Sequence, residues 1–467
     1  MKKTIVLSIV LSSVFAIYAL LANAQTEGRF TLTNSLDGKS TLECYLPANP
    51  TGRAVISCPG GGYSHLSLQN EGHDWATYFN EMGIAYFVLT YRMPNGDRNI
   101  PLSDAFNAIK TVRDSSSVWN INPYDVGIMG FSAGGHLAST VSTHAPWESR
   151  PDFSILFYPV ISMKESDTHK GSVIGFLGDA RSDEKLVNEY SNDRQVRCHT
   201  TPPAIILLAN DDRAVPPVTN GVAYYSAMRN QGNECSMFIY PSGGHGFGFR
   251  SSFKYHDQMI SDLTTWLKNL KSPQKDAIRV ACIGNSITEG SGIPMSSQFG
   301  YPAQLQRIMG NNYHVKNFGV GAQTLLNKGD NPYMKRPEWK GVLSFNPNIV
   351  VIKLGTNDTK PQNWQFNKEF QHDLLEMIEK LQKLPANPRI LLAHPIRAFK
   401  STWDINDNII VNELIPIINQ VAKKKKLQVI DLHEAITDEK MLLDDGIHPN
   451  EKGAQRIAEV VAEAIRQ

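Results

Sequence analysis

The run VGIMGFSAGGH, residues 126–136, decides how the first half of this chain folds. An apolar segment from Val126 to Met129 reads as a buried strand; it breaks at Gly130, carries Ser132 between two glycines and continues into a helical pattern. A strand that hands a glycine-flanked serine to a helix makes the sharp turn that lifts a serine Oγ clear of a sheet. At such a turn the Ala133 N–H points away from the helix and is available to an oxyanion.

Outward from that turn the same alternation recurs. Short β-branched and aromatic runs at 54–57, 84–91, 154–158, 204–208 and 237–240 are separated by longer helical patterns. Continuous apolar strands divided by helices are what a parallel sheet covered on both faces requires. From 255 to 270, Met259, Leu263, Trp266, Leu267 and Leu270 fall on one helical face, and the polar stretch 271–276, which contains Pro273, follows as a domain boundary. This predicts a first domain over 25–270, a linker over 271–276 and a second domain over 277–467.

Three further groups stand just beyond predicted strands, where open α/β sheets place their sites. Cys58-Pro-Gly-Gly-Gly-Tyr63 follows the strand at 54–57, and its glycines let backbone N–H groups approach a ligand. Asn210-Asp-Asp-Arg-Ala-Val-Pro216 and Gly243-Gly-His-Gly-Phe247 follow the strands at 204–208 and 237–240. The stretch from Thr41 to Leu270 therefore resembles an α/β-hydrolase esterase of the branch that includes acetylxylan and feruloyl esterases, with the chain order serine, aspartate, histidine. The resemblance implies Ser132 as nucleophile, His245 as base and Asp212, which fits the family's D-x-x-V-P pattern, as the group orienting the base. It also implies Gly61, Gly62 and Ala133 as oxyanion donors. Cys58-Pro59 departs from the His-Gly that many relatives carry there. Asp211 reads as a turn carboxylate, and His65 and His136 receive no role.

Beyond residue 276 the alternation restarts, with strands expected at 278–283, 315–318, 349–354, 390–393 and 427–430 and helices such as 369–384 between them. GNSITEG, 284–290, ends the first of these strands but lacks the glycine two residues after Ser286, so a nucleophile elbow does not describe it. Asn317-Phe-Gly-Val-Gly321, Leu354-Gly-Thr-Asn-Asp358 and Asp445-Gly-Ile-His-Pro449 complete the set. Gly319 can bring a bare N–H to an anion, the Asn357 amide and the Ser286 N–H can join it, and Asp445 and His448 are close enough in sequence to hold each other on one turn. These blocks resemble the GDSL, or SGNH, hydrolase family over almost all of 276–467. That implies a flavodoxin-like fold with Ser286 as nucleophile, His448 as base, Asp445 as orienter, and Gly319 and Asn357 in the oxyanion hole. Asn285 replaces the family's frequent aspartate.

The 467 residues carry 46 basic and 45 acidic side chains, a formal net charge of +1, which leaves no electrostatic footprint for nucleic acid or an anionic membrane. The basic run 423–426 reads as the solvated end of a helix. Five cysteines at irregular spacing are too few for a disulfide scaffold and show no zinc-ligand pattern, and neither serine site needs a metal or a cofactor. Lys2 and Lys3, an apolar stretch from Ile5 to Leu21 and Ala22-Asn-Ala24 predict a signal peptide over 1–24 and an exported mature chain, periplasmic or secreted. The expected partner is an acylated polysaccharide or oligosaccharide, chiefly O-acetyl xylan in plant cell walls, with feruloyl groups as a further acyl class. The alternatives are a general carboxylesterase or lipase, and one active domain beside a catalytically silent glycan-binding one. Oligomeric state is not legible.

Overall fold

The structure is a computed structural model that describes residues 28–467; the expected signal segment, 1–24, lies outside the described residues. The chain divides into two compact units that part between Lys275 and Asp276, with Arg229–Glu234 grouping with the second. Each unit is an α/β fold built on its own sheet.

The first sheet has eight strands: β1 (Arg29–Thr33), β2 (Thr41–Tyr45), β3 (Ala54–Cys58), β4 (Ala85–Thr90), β5 (Val126–Phe131), β6 (Ser154–Phe157), β7 (Ala204–Ala209) and β8 (Cys235–Tyr240). Their order is β1-β2-β4-β3-β5-β6-β7-β8, and from β4 through β8 all pairings are parallel. The first two strands pair antiparallel with each other, β2 also pairs antiparallel with β4, and the sequence reading missed both. They form an edge that alternates in burial along each strand, so they lack the unbroken apolar run that revealed the others.

Alternation of side chains explains why the central strands are apolar throughout. On β3, Ile56 joins a core with Leu137, Ala138 and Val141 on one face of the sheet, while Val55 joins Trp75, Phe79 and Phe131 on the other. The helix His256–Asn269, expected over 255–270, adds Met259, Leu263 and Leu267 to that second core. The start of the predicted linker is tied to the first unit, since Asn122 Nδ2 donates to the Pro273 carbonyl at 2.6 Å and Arg53 donates to the Leu270 carbonyl at 2.8 Å.

The second sheet has five parallel strands, β9 (Ile278–Gly284), β10 (Tyr313–Gly319), β11 (Ile349–Lys353), β12 (Arg389–Ala393) and β13 (Gln428–Ile430), in the order β10-β9-β11-β12-β13. This is the flavodoxin-like order, in which the chain steps outward from β9 to β10, then reverses across the sheet to β11, and leaves a crevice at the carboxyl ends of β9 and β11. The helix Glu451–Arg466 packs Ile457, Val461 and Ile465 against β9 and its neighbours. The basic run ends the helix Ile415–Lys425, with Lys426 in a left-handed cap at φ 54°.

Candidate active sites

In the first unit, Ser132 opens the helix Ser132–His144 directly after β5, at φ 52°, a left-handed conformation that a residue with a Cβ rarely adopts. The turn closes only because its neighbours are glycines. A Cβ on Gly130 would lie 2.2 Å from the Gly134 carbonyl oxygen, and one on Gly134 would lie 2.0 Å from that of Cys58. The second of these contacts packs the helix start against the loop 58–62, which brings Ser132 and the glycine loop together.

Ser132 Oγ stands 2.8 Å from His245 Nε2, and His245 Nδ1 stands 2.7 Å from Asp212 Oδ2. The other oxygen of Asp212 accepts the N–H groups of Ala214 and Val215 at 2.9 and 3.0 Å, which fixes the carboxylate as a buried acceptor aimed at the imidazole. Asp211, expected to be a turn carboxylate, accepts the Gly244 N–H at 2.8 Å and so pins the loop that carries His245. His136 is buried and held neutral, burial lowering it to about 4; its Nε2 donates to the Tyr190 carbonyl and its Nδ1 accepts from Tyr63, both at 2.9 Å. It thus braces the residue after the glycine loop. His65 lies exposed beside Ser64.

Among the described residues the Gly61 and Gly62 N–H groups make no hydrogen bond, and that of Ala133 lies in the first helical turn, where no intrahelical acceptor exists. Gly60 differs, because its N–H is taken by Glu71 Oε2 at 2.8 Å. Glu71 was not singled out in the sequence, and it links three segments around the site. Its Oε1 accepts the Tyr158 hydroxyl at 2.8 Å, and that hydroxyl accepts the Gly248 N–H at 3.0 Å. Tyr158, expected to end a strand, instead leaves β6 at φ 33° and sets its ring 4.9 Å from that of His245. Burial raises the Glu71 pKa, opposed by the hydrogen bonds from Tyr158 and Gly60. A lone glutamate in the polar loop 64–71 carries no spacing that betrays this role.

In the second unit the candidate groups come from the ends of β9 and β11 and from the loop before the last helix. Ser286 Oγ stands 2.8 Å from His448 Nε2, and His448 Nδ1 stands 2.8 Å from Asp445 Oδ2. Asp445 Oδ1 accepts the N–H groups of Ile447 and His448 at 2.7 and 2.8 Å, so acid and base share one turn. Partial burial works to raise the Asp445 pKa, but the hydrogen bonds from His448 and Ile447 outweigh it and hold the carboxyl below its usual value.

The Asn357 amide donates one hydrogen to the Gln323 carbonyl at 3.1 Å, which leaves its second hydrogen for a ligand. Asp358, next in the chain, accepts the N–H groups of Leu325 and Leu326 at 3.1 and 2.8 Å and locks the same loop. Gly319 departs from the expectation of a bare N–H. It donates to Asn317 Oδ1 at 2.8 Å, in a turn at the end of β10, so it can serve an oxyanion only by sharing its hydrogen. The absence of a side chain there has a separate cause: a Cβ on Gly319 would sit 2.2 Å from the Glu289 nitrogen of the helix that begins at Ser286. Among the described residues the Ser286 N–H, at the start of that helix, makes no hydrogen bond.

Asn285 is fully buried and caps this short helix, accepting the Ile287 N–H at 3.1 Å. The same oxygen lies 3.4 Å from Nζ of Lys353, a buried lysine at the end of β11 whose pKa burial lowers to about 7. An amide supplies no countercharge, so a long hydrogen bond to it leaves most of the cost of desolvating the ammonium uncompensated. Between about pH 7 and the ordinary lysine range the unfolded chain holds a proton that the native chain does not, and stability therefore rises with pH there by at most about 1.4 kcal/mol per unit. Calorimetry of Lys353→Met against the parent from pH 6 to pH 9 is expected to show the parent gaining melting temperature on the variant above pH 7. A pH-independent difference would rule out titration of Lys353 in that window.

Residues 55–249 match the model of the alpha/beta hydrolase fold, and residues 282–456 match that of the GDSL-like lipase/acylhydrolase family. An acetylxylan esterase of Xylanibacter ruminicola is 57% identical over 467 aligned residues, covering 96% of this chain and 97% of the relative. The chain belongs to that esterase family. Part of the esterase, 41% of its length, is also 34% identical to endo-1,4-beta-xylanase B of Butyrivibrio fibrisolvens, covering 32% of that protein. Among solved structures, the acetyl ester-xyloside bifunctional hydrolase of Caldicellulosiruptor lactoaceticus aligns with 49% of this esterase and 87% of its own chain, at 34% identity and a TM-score of 0.46.

Proposed function

We propose that this serine esterase removes O-acetyl groups from xylan at two independent active sites, with Ser132, His245 and Asp212 acting in the first unit and Ser286, His448 and Asp445 in the second. The observation that carries the reading is the pair of serine-histidine-aspartate relays, each with both hydrogen bonds between 2.7 and 2.8 Å. The substrate class rests on the extensive likeness to an acetylxylan esterase.

The chemistry is the same in both units. The histidine takes the serine proton as Oγ attacks the acetyl carbonyl, and the tetrahedral oxyanion is held by the Gly61, Gly62 and Ala133 N–H groups in the first site. In the second, Ser286 N–H and Asn357 Nδ2 carry that task, with Gly319 contributing a shared hydrogen. The imidazolium, stabilised by its aspartate, returns the proton to the departing sugar alkoxide; water activated by the neutral histidine then releases acetate and restores the serine. Export of the mature chain, whether to the periplasm or the medium, follows from the expected leader and belongs to this proposal.

The test compares acetate release from acetylated xylan with hydrolysis of short and long aryl esters. We expect acetate from the polymer and a rate on aryl esters that falls steeply from acetyl to long acyl chains. Long-chain activity with no acetate from xylan would overturn the proposal in favour of a general lipase.

A further inference from the structure

Among the large apolar side chains that the described residues leave exposed, Trp403 is the one aromatic, at 54% exposure. It stands beside the second triad: its ring lies 5.4 Å from that of His448, with the planes at 68°. Its backbone is left-handed, at φ 55° and ψ 31°, and Asp404 follows at φ 60°. Such conformations are rare for residues with a Cβ and persist where the surroundings impose them.

The surroundings here are the catalytic turn. Thr402 Oγ1 donates to the Asp445 carbonyl at 2.6 Å, Lys400 Nζ to the Asp444 carbonyl at 2.9 Å, and the Phe399 N–H to the Gly446 carbonyl at 2.9 Å. The loop that carries the tryptophan is therefore fastened to the turn that carries Asp445 and His448. Burial of an apolar ring does not account for this arrangement, since the ring stays largely in solvent.

From this geometry we propose that Trp403 is the sugar-binding platform of the second active site, stacking on the pyranose ring that bears the acetyl group. The reaction fixes where the sugar must be. His448 protonates the departing alkoxide, so the leaving sugar oxygen comes within hydrogen-bond reach of its Nε2, and the rest of the sugar lies within a ring's width of that atom. The indole stands in that neighbourhood, more than half exposed. A β-xylopyranose ring has only equatorial substituents and no exocyclic carbon, so both its faces present axial C–H groups. Those groups are weakly positive and pack against the negative face of an indole. The inference rests on the proposed substrate and deepens it by naming what the second site grips.

The experiment uses the full chain carrying Ser132→Ala, so that only the second site turns over, and compares acetylated xylotriose with vinyl acetate, whose leaving group has no ring. Adding Trp403→Ala is expected to lower kcat/KM on acetylated xylotriose about tenfold, mostly through KM, and to lower it on vinyl acetate by less than about twofold. Trp403→Phe should recover much of the loss. Equal losses on both substrates would overturn the proposal and make Trp403 a positioning residue for His448. No loss on either would overturn it as well. The substrate reading fails separately and earlier: if the Ser132→Ala parent hydrolyses vinyl acetate but not acetylated xylotriose, xylan is not the substrate of this site and the platform falls with it.

Discussion

A chain carrying both Ser132→Ala and Ser286→Ala is expected to release no acetate above background from acetylated xylan, while each single variant keeps the activity of the intact site. Removing a nucleophile costs on the order of 10⁴-fold or more at the site that holds it, because the remaining histidine and oxyanion donors have no oxygen to activate. The two relays share no residue, so the losses should be independent and the single variants should add up to the parent. Acetate quantified by enzymatic assay, with NMR of the residual polymer, reads the division of labour. Different acetyl positions left by the two single variants would mean that the units share one substrate. A single variant as inactive as the double would show that only one unit acts on xylan.

The second large effect is expected at Glu71, a residue that touches no substrate. One carboxylate joins the Gly60 N–H to the Tyr158 hydroxyl, and through it to the Gly248 N–H, so the loop that offers oxyanion donors and the loop that carries His245 are set by the same group. In a Ser286→Ala chain, Glu71→Ala should lower kcat of the first site about a hundredfold while KM changes little, since the loss is of alignment in the transition state and an ångström of displacement has that effect. Glu71→Gln keeps one acceptor for Gly60 and turns a donor toward the Tyr158 oxygen, so it should restore most of the rate. An unchanged kcat in Glu71→Ala, or a Gln variant no better than the Ala one, would remove the positioning role.

Nothing in the loop sequence around Glu71 distinguishes it from any solvated glutamate, and the same holds for Lys353 and Trp403. Lys353 closes an apolar strand, where a charged residue ordinarily marks the strand's exit to water, yet it is fully buried beneath Asn285. Trp403 has no distinguishing spacing in its loop sequence, and only the fold brings residues 399–404 against the turn at 444–448. Gly319 misled in the other direction: its motif suggested an open donor, but Asn317, two residues earlier, closes a local turn on its N–H.

What the sequence determined by itself is whatever depends on short-range pattern. Continuous apolar runs mark strands buried on both faces, and the residues just past those runs lie at the carboxyl ends of a parallel sheet. For that reason the segments carrying Ser132, Asp212, His245, Ser286, Asp445 and His448 stood out as candidates before any coordinates, while the role of each, and the choice of Asp212 over Asp211, came from the family resemblance. The first two strands, Arg29–Thr33 and Thr41–Tyr45, were not legible, because alternating burial over five residues is too short a signal to stand out from loop sequence. Only the tertiary structure decided which N–H groups remain open, which carboxylate braces which loop and which aromatic stands beside a catalytic histidine. Those properties depend on contacts between segments far apart in the chain, and such contacts leave no period in the sequence that makes them.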